Sequence, residues 1–268
     1  MKKHLLAFVA ALTMLTSCGI LSSTGFDAAS LATAAGTAMT ALTISDEQIA
    51  QLSAQSVAYM DSVNKVDRGA YDQRLRKLMG NVKSIDGIPI NLKVYRTNEI
   101  NAFASGDGSI RVYSGLMDVM NDAELMAVIG HEIGHVRHKD TKNAMKKTYM
   151  AYAARLALGS TGSVLGQLST SVLGDIAQSY LNAQYSQKQE FQADEFGYNF
   201  LKSSGRNPWA MAMAFEKLQS LSGGTTTGGK AATGSSVSQL FSTHPPTSDR
   251  IEKVSKKATA DGYIRPSK

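Results

Sequence analysis

The chain has 268 residues, with 28 Lys and Arg against 22 Asp and Glu, five His and one Cys. Apolar residues at 43% and charged residues at 19% exclude a wholly disordered chain, and a lone Cys excludes both an internal disulfide and cysteine-rich zinc modules. The formal charge of +6 is scattered and interleaved with acids, so it describes a solvated surface with a mild basic excess and gives no ground for nucleic-acid binding.

Met1 to His4 is a short basic head, and Leu5 to Leu15 is an apolar run too short to span a bilayer. Thr16, Ser17 and Cys18 follow, which completes the form of a secretory signal peptide. The order Leu15-Thr16-Ser17-Cys18 resembles the bacterial lipobox, in which the Cys becomes the first mature residue and carries lipid. The plainer alternative is a signal peptide with an incidental Cys near its end. Gly19 in place of Asp, by the same resemblance, favours transfer to the outer membrane, where acyl chains would replace a spanning helix as anchor. The expected organisation is a signal peptide over 1–17, a lipidated N-terminus and tether over 18–43, and one domain over 44–268. The tether, Ile20 to Thr43, ends in a weak helix and carries a single charge, Asp27.

Ser45-Asp46-Glu47-Gln48 reads as a capped helix start, with Ile49, Leu52, Ala54, Val57 and Met60 at helical spacing. A second helix is expected from Tyr71 to Gly80, with Leu75, Leu78 and Met79 inward. Leu92 and Val94, then Ile110 and Val112, alternate with polar residues as half-buried strands do. Asn101-Ala102-Phe103-Ala104 and a Gly106-Asp107-Gly108 turn lie between them. Together they predict a small antiparallel sheet just ahead of the most informative motif, His131-Glu132-Ile133-Gly134-His135.

Asn121 and Glu124 form an N-cap pair, and Leu125, Met126, Val128, Ile129 and Ile133 supply a buried face, so the motif lies inside a helix. His131 and His135 are then one turn apart on one face and can reach one zinc ion. Glu132, rotated by about 100°, lies beside the metal, where it can take a proton from activated water and return it to the leaving amine. Gly130 and Gly134 each cost a helix about 1 kcal/mol against Ala, which predicts that something packs closely on that turn. By average residue usage, a chain of this length holds the five-residue pattern by chance on the order of 1% of the time, and such a match need not fall in a capped helix. His138 lies about 10 Å along the axis from His131, too far to share a tetrahedral ion with it, and is expected at the surface or behind the ligands. Thr141 stands where a metzincin would carry its third His.

A catalytic zinc needs a third protein ligand and an open fourth position. Glu190, on a helix marked by Phe191, Phe196, Phe200 and Leu201, is the candidate. Asp194, one turn on, would accept a ring N–H from a ligating His. Standing alone, such a carboxylate pair reads more simply as a solvated helix face.

The motif, the downstream Glu190-Phe191-Gln192-Ala193-Asp194, and Ser242-Thr243-His244-Pro245-Pro246 with Arg250 resemble the gluzincin zinc metallopeptidases related to HtpX and the CAAX prenyl endopeptidases, especially their periplasmic lipoprotein members. The resemblance covers roughly Ile44 to Ile251. It implies an α+β fold, mainly helical and zincin-like, with the sheet beside the zinc helix. It implies one zinc held by His131, His135 and Glu190, Glu132 as general base and acid, and Asp194 behind the ligands. It also implies that Asn101 to Ala104 is an edge strand to which an extended, unfolded substrate adds.

His244 is expected to approach the fourth zinc position or to bind substrate, and Arg250 to stabilise the oxyanion or a carboxylate. The alternative is a His-Pro turn that merely starts the last helix. A flexible Gly/Ser/Thr-rich loop is expected over 220–238. Met150 to Ala183 is read as one or two helices covering the cleft, a mobile lid or a face for a partner or the membrane surface, because its apolar run is too broken to span a bilayer. Two functions follow. One is a zinc endopeptidase acting on misfolded or unassembled envelope proteins; the other is an outer-membrane assembly or chaperone lipoprotein with a gated zinc site. Both expect envelope polypeptides and assembly factors as partners.

Overall fold

The computed structural model describes residues 44–80, 82–159, 169–222, 238–245 and 247–267. The expected signal peptide, Cys18 and tether therefore lie outside the described residues. So do residues 223–237 of the expected loop, whereas 220–222 and 238 belong to its flanking helices. Among the described residues, those of 45–148 and those from 169 onward belong to one compact unit, and Ile44 with residues 149–159, the last eleven of a long helix, to another.

The first helix, α1 (Asp46–Val63), starts at the expected capping box: Ser45 accepts from the Gln48 backbone, and the Gln48 side chain accepts from Ser45. Helix α2 (Ala70–Met79) buries Leu75, Leu78 and Met79. A two-stranded hairpin, β1 (Ser84–Ile85) and β2 (Ile88–Pro89), leads into β3 (Asn91–Tyr95), β4 (Ala102–Ala104) and β5 (Ser109–Tyr113).

The sheet corrects one expectation. Its order is β3-β5-β4, with β4 antiparallel to β5 but β3 parallel to it, so the sheet is mixed. The Gly106-Asp107-Gly108 turn folds β4 back on β5; residues 96–101 first carry the chain across to the far side of the position β5 will take. Gly108 has φ +86°, and a Cβ there would collide with the Pro89 carbonyl, so this turn needs glycine. One sheet face presents Ile110, Val112 and Val94 to the main core. The other carries Tyr95, Phe103 and Tyr113, with ring centroids 5.6–6.3 Å apart, and Arg111, which is 2% exposed and donates to both oxygens of Asp61 on α1.

After α3 (Ser114–Val119), α4 (Asp122–Arg137) runs beside β4 and β5 and is almost wholly buried. It stops at His138, its C-cap. Lys139 takes a left-handed φ of +61°, which lets α5 (Asp140–Gly159) begin ten residues before the expected Met150. Then come α6 (Thr170–Leu181), α7 (Gln187–Ser203), α8 (Trp209–Ser222), α9 (Ser238–Thr243) and α10 (Ser248–Ala260). Helix α7 packs along α4, α8 covers both α4 and α10, and α6 packs on α1. The fold is thus α+β and mainly helical, with the small sheet beside the motif helix.

The glycines explain the α4–α7 approach. A Cβ at Gly134 would lie 2.8 Å from Ala193 Cα, and one at Gly130 would lie 3.1 Å from Gly197 Cα. The helices meet backbone to backbone, which brings their polar side chains together. The α7 face that is buried consists of Glu190, Ala193, Asp194, Gly197, Tyr198 and Leu201. Phe191, Phe196 and Phe200, which mark the helix in the sequence, are only half-buried beside it.

Candidate metal centre

Helix α4 is fixed at its start, where Asn121 accepts from Ala123 and Glu124 and the Glu124 carboxylate accepts from the Asn121 backbone. Its last turns place His131 and His135 with ring centroids 4.7 Å apart and Nε2 atoms 3.1 Å apart. Each Nδ1 meets a carboxylate: His131 is 2.9 Å from Asp194 Oδ1, and His135 is 3.0 Å from Asp140 Oδ2. With Nδ1–H donated in this way, each imidazole in its neutral form would present its Nε2 lone pair to the same point.

Helix α7 brings a third group there. Ser186 and Gln189 form its capping box; Gln189 also donates to Asp140 at 2.7 Å, tying the start of α7 to the carboxylate behind His135. Glu190 then lies one helical turn in, with Oε1 3.4 Å from His135 Nε2 and Oε2 3.6 Å from His131 Nε2. His244, directly after α9, adds Nδ1 at 2.9 Å from Glu190 Oε1 and 3.3 Å from His131 Nε2. Ligand atoms of His131, His135, Glu190 and His244 all lie within 4.8 Å of one another, and this is the metal-competent cluster among the described residues. Buried acceptors converging without enough donors to satisfy them suit a cation, and a set of imidazole nitrogens with one carboxylate suits zinc. The residues therefore fit the zinc ion that this kind of site uses.

The electrostatics agree. Burial pulls the His131 pKa below its ordinary value. Burial also acts downward on His135, but the Asp140 and Glu190 carboxylates outweigh it and raise the imidazole to about 9 in the metal-free chain. That proton occupies the place a metal would take, so metal binding releases it. At Glu190 burial acts upward, yet His244, His135 and His131 together hold the carboxyl well below the usual range. Burial likewise raises Asp194, and the hydrogen bonds from Arg250 and His131 overcome it.

Arg250, 2% exposed, gives Asp194 a two-pronged pairing at 2.6 and 2.8 Å and places Nη1 2.6 Å from Glu190 Oε2. Its guanidinium faces Asp194 and Glu190, the carboxylate placement expected as one of its two alternatives, lies over the Phe215 ring and is capped by the Pro245 carbonyl. His244 is part of the cluster as well as preceding the turn into α10, whose N-cap is Thr247. His138 stays outside the cluster.

Glu132 is 2% exposed, and its Oε1 has no hydrogen-bond partner; it lies 3.7 Å from His244 Nε2. It faces a small cavity bounded by β4 on one side and by Tyr180, Leu181, Ala183 and Tyr185 on the other, with His244 between. The Tyr185 ring stacks on His135 at 4.1 Å and 18°, and on His244 at 5.0 Å and 26°. Burial pushes the phenols of Tyr185 and Tyr180 well above their ordinary pKa, so both are neutral hydrogen-bonding groups.

The structure thus gathers Glu132, His131, His135, Glu190, Asp194, His244 and Arg250 at one place, with Asn101, Ala102, Phe103 and Ala104 lining the same cavity. Asp140, Tyr180 and Tyr185 were not picked out from the sequence. Asp140 had a readable signal, an acid at the head of the next helix five residues after His135. Tyr185 had none, since stacking across the cleft leaves no local pattern.

Residues 72–258 match the peptidase family M48 model. Metalloprotease YcaL of Escherichia coli (strain K12) is 39% identical over 257 residues, covering 94% of this chain and 95% of that protein. Metalloprotease LoiP of the same organism is 37% identical over 265 residues, covering 97% and 98%. A protease HtpX homolog of Thermococcus sibiricus (strain DSM 12597 / MM 739) is 34% identical over 204 residues, covering 63% and 68%.

Proposed function

The chain belongs to peptidase family M48 and is a zinc-dependent metalloendopeptidase; on that premise we propose that it cuts misfolded or unassembled polypeptides of the bacterial envelope, with Glu132 as general base and acid. The observation that carries the mechanism is the orphaned Glu132 Oε1, buried without a partner at the wall of the cavity beside the cation-competent cluster.

His131, His135 and Glu190 would hold the zinc, with Asp194 and Asp140 orienting the two imidazoles. A zinc ion there supplies Lewis acidity toward the scissile carbonyl and makes water acidic near neutral pH. Glu132 accepts the proton of the attacking water at its free oxygen and delivers it to the leaving amine. His244, itself a member of the cluster and 3.7 Å from Glu132 Oε1, would serve either as a further ligand or as a contact for the substrate carbonyl. Arg250, together with His131, keeps Asp194 ionised against its burial so that it can hold its histidine, and sets its Nη1 2.6 Å from Glu190 Oε2. Strand β4 is the edge of its sheet on the cavity side, and an extended substrate adding there is held by its backbone, which suits unfolded chains of varied sequence.

The compartment follows from the N-terminal reading: lipid on Cys18, anchorage at the outer membrane and a domain facing the periplasm. No helix among the described residues is long and apolar enough to cross a membrane. The test measures zinc content and digestion of unfolded casein for the wild type and for Glu132→Gln. One zinc in each, with cleavage lost only in the variant, is expected; equal digestion by both refutes the role of Glu132. A zinc-loaded wild type that cuts nothing would instead favour a non-proteolytic assembly or chaperone lipoprotein.

A further inference from the structure

The register of β4 determines which of its backbone groups a substrate can use. Tyr113 N–H donates to the Asn101 carbonyl at 3.0 Å, and Ser105 N–H donates to the Ser109 carbonyl at 2.7 Å. With Ala102 opposite Val112 and Ala104 opposite Ile110, those bonds make Asn101, Phe103 and Ser105 the inward-bonded residues. Ala102 and Ala104 therefore turn their N–H and C=O groups to the free edge. Both ends of this outward row are already engaged within the chain. Ala102 N–H donates to Asn101 Oδ1 at 2.9 Å. The Ala104 carbonyl accepts from the Tyr180 hydroxyl, at the end of α6.

The remaining space is small. The cavity between β4 and the segment 180–185 has a volume of ≈ 20 Å³, enough for about one water and far too little for a peptide. Tyr185, which also lines this cavity, stacks on His135 and His244. In this conformation water can reach Glu132 and an extended chain cannot.

We infer that Tyr180 is a gate that competes with substrate: its hydroxyl holds the Ala104 carbonyl in the place of a substrate backbone N–H, and an entering strand must displace it together with Tyr185. This rests on the proposed edge-strand binding and adds the residue that opposes it. Exposed sheet edges invite unwanted pairing; a side-chain donor on the outermost carbonyl blunts this edge while leaving it exchangeable. The handle for opening is α6, which packs on α1 with Gly174 against Tyr59. A donor lent by α6 is withdrawn when α6 shifts, so the edge is released without unfolding the sheet.

The test uses the full, zinc-loaded chain with Glu132→Gln to prevent cleavage, and a fluorescein-labelled unfolded casein peptide read by anisotropy. Adding Tyr180→Phe removes the competing donor and keeps the ring. The expected result is tighter binding, with Kd lower by roughly 2- to 10-fold, as one hydrogen bond of ordinary net worth converts. A residue needed only for structure would weaken binding or leave it unchanged. Hydrogen exchange gives a second readout that needs no Tyr180 variant: peptide should slow exchange at residues 101–105 and speed it at 170–186. Protection of 101–105 with unchanged Kd in the Tyr180→Phe protein and unchanged exchange at 170–186 overturns the gate and leaves edge-strand binding standing. No protection at 101–105 overturns the strand-addition reading and the gate with it.

Discussion

Replacing Gly134 by Ala separates helix propensity from helix packing at the site. In an isolated helix the change gains about 1 kcal/mol. Here the new Cβ would sit 2.8 Å from Ala193 Cα, 2.9 Å from the Ala193 carbonyl oxygen and 3.1 Å from Phe196 Cβ. Backbone atoms cannot rotate away, so α7 must retreat until these contacts reach the 3.4 Å of ordinary contact. Overpacking of this kind costs about 1–3 kcal/mol, leaving a net loss of up to about 2 kcal/mol. For a domain of this size that is a fall in Tm of up to about 8 °C. The retreat has a second effect, because Glu190 is three residues before Ala193 on the same helix. Zinc–ligand distances tolerate about 0.2 Å, so a shift of several tenths of an ångström at Ala193 reaches the metal. Two assays follow: thermal unfolding of the metal-free protein, and zinc affinity by competition with a chromophoric chelator. The expected outcome is a lower Tm with weaker zinc binding, and a milder effect for Gly130→Ala, whose nearest neighbour is the Phe200 side chain at 3.0 Å. A Gly134→Ala protein with raised Tm and unchanged zinc affinity would refute the claim that backbone contact between α4 and α7 sets the site.

Three further outcomes are expected. Asp194→Asn removes the anion that orients His131 and faces Arg250, so zinc affinity should fall about 10- to 100-fold, measured by the same competition assay. Stripping zinc with a chelator should lower the unfolding temperature, because a ligand at 1,000 times its Kd stabilises the folded state by about 4 kcal/mol; calorimetry with and without zinc checks this. Asp61→Asn leaves Arg111 buried without its anion and should cost up to about 3 kcal/mol at neutral pH. For Asp61, burial raises the carboxyl but the bonds from Arg111, Lys93 and Tyr95 outweigh it, holding the folded pKa below 3.8. Its contribution is therefore complete above the unfolded value and lost as pH falls through the folded one. Urea unfolding at pH 7 and pH 3 should show the gap between wild type and variant narrowing at the lower pH.

The parts legible in the sequence are those governed by neighbours in the chain. The capping pairs Ser45–Gln48 and Asn121–Glu124 act over three residues, and the histidines of the motif are one turn apart, so local rules reach them. Gly130 and Gly134 announced a close partner by being poor helix residues, although not which partner. The parallel pairing of β3 with β5 was hidden because nothing local distinguishes it from an antiparallel one. The early start of α5 depended on Lys139 accepting a left-handed conformation, which its residue type does not advertise. The phenylalanines of α7 misled about its buried face: packing against the glycines of α4 favours small residues and paired carboxylates at the contact, leaving the large rings at its margins.

His131, His135 and Glu190 are expected to converge on one zinc ion beside Glu132. Anomalous diffraction at the zinc absorption edge, from crystals of the zinc-loaded protein, locates that ion. The expected result is a single strong peak within about 2.0–2.2 Å of a nitrogen of each histidine and an oxygen of Glu190, with Glu132 outside the coordination shell. A peak ligated elsewhere, or one coordinated by Glu132 in place of Glu190, would contradict it.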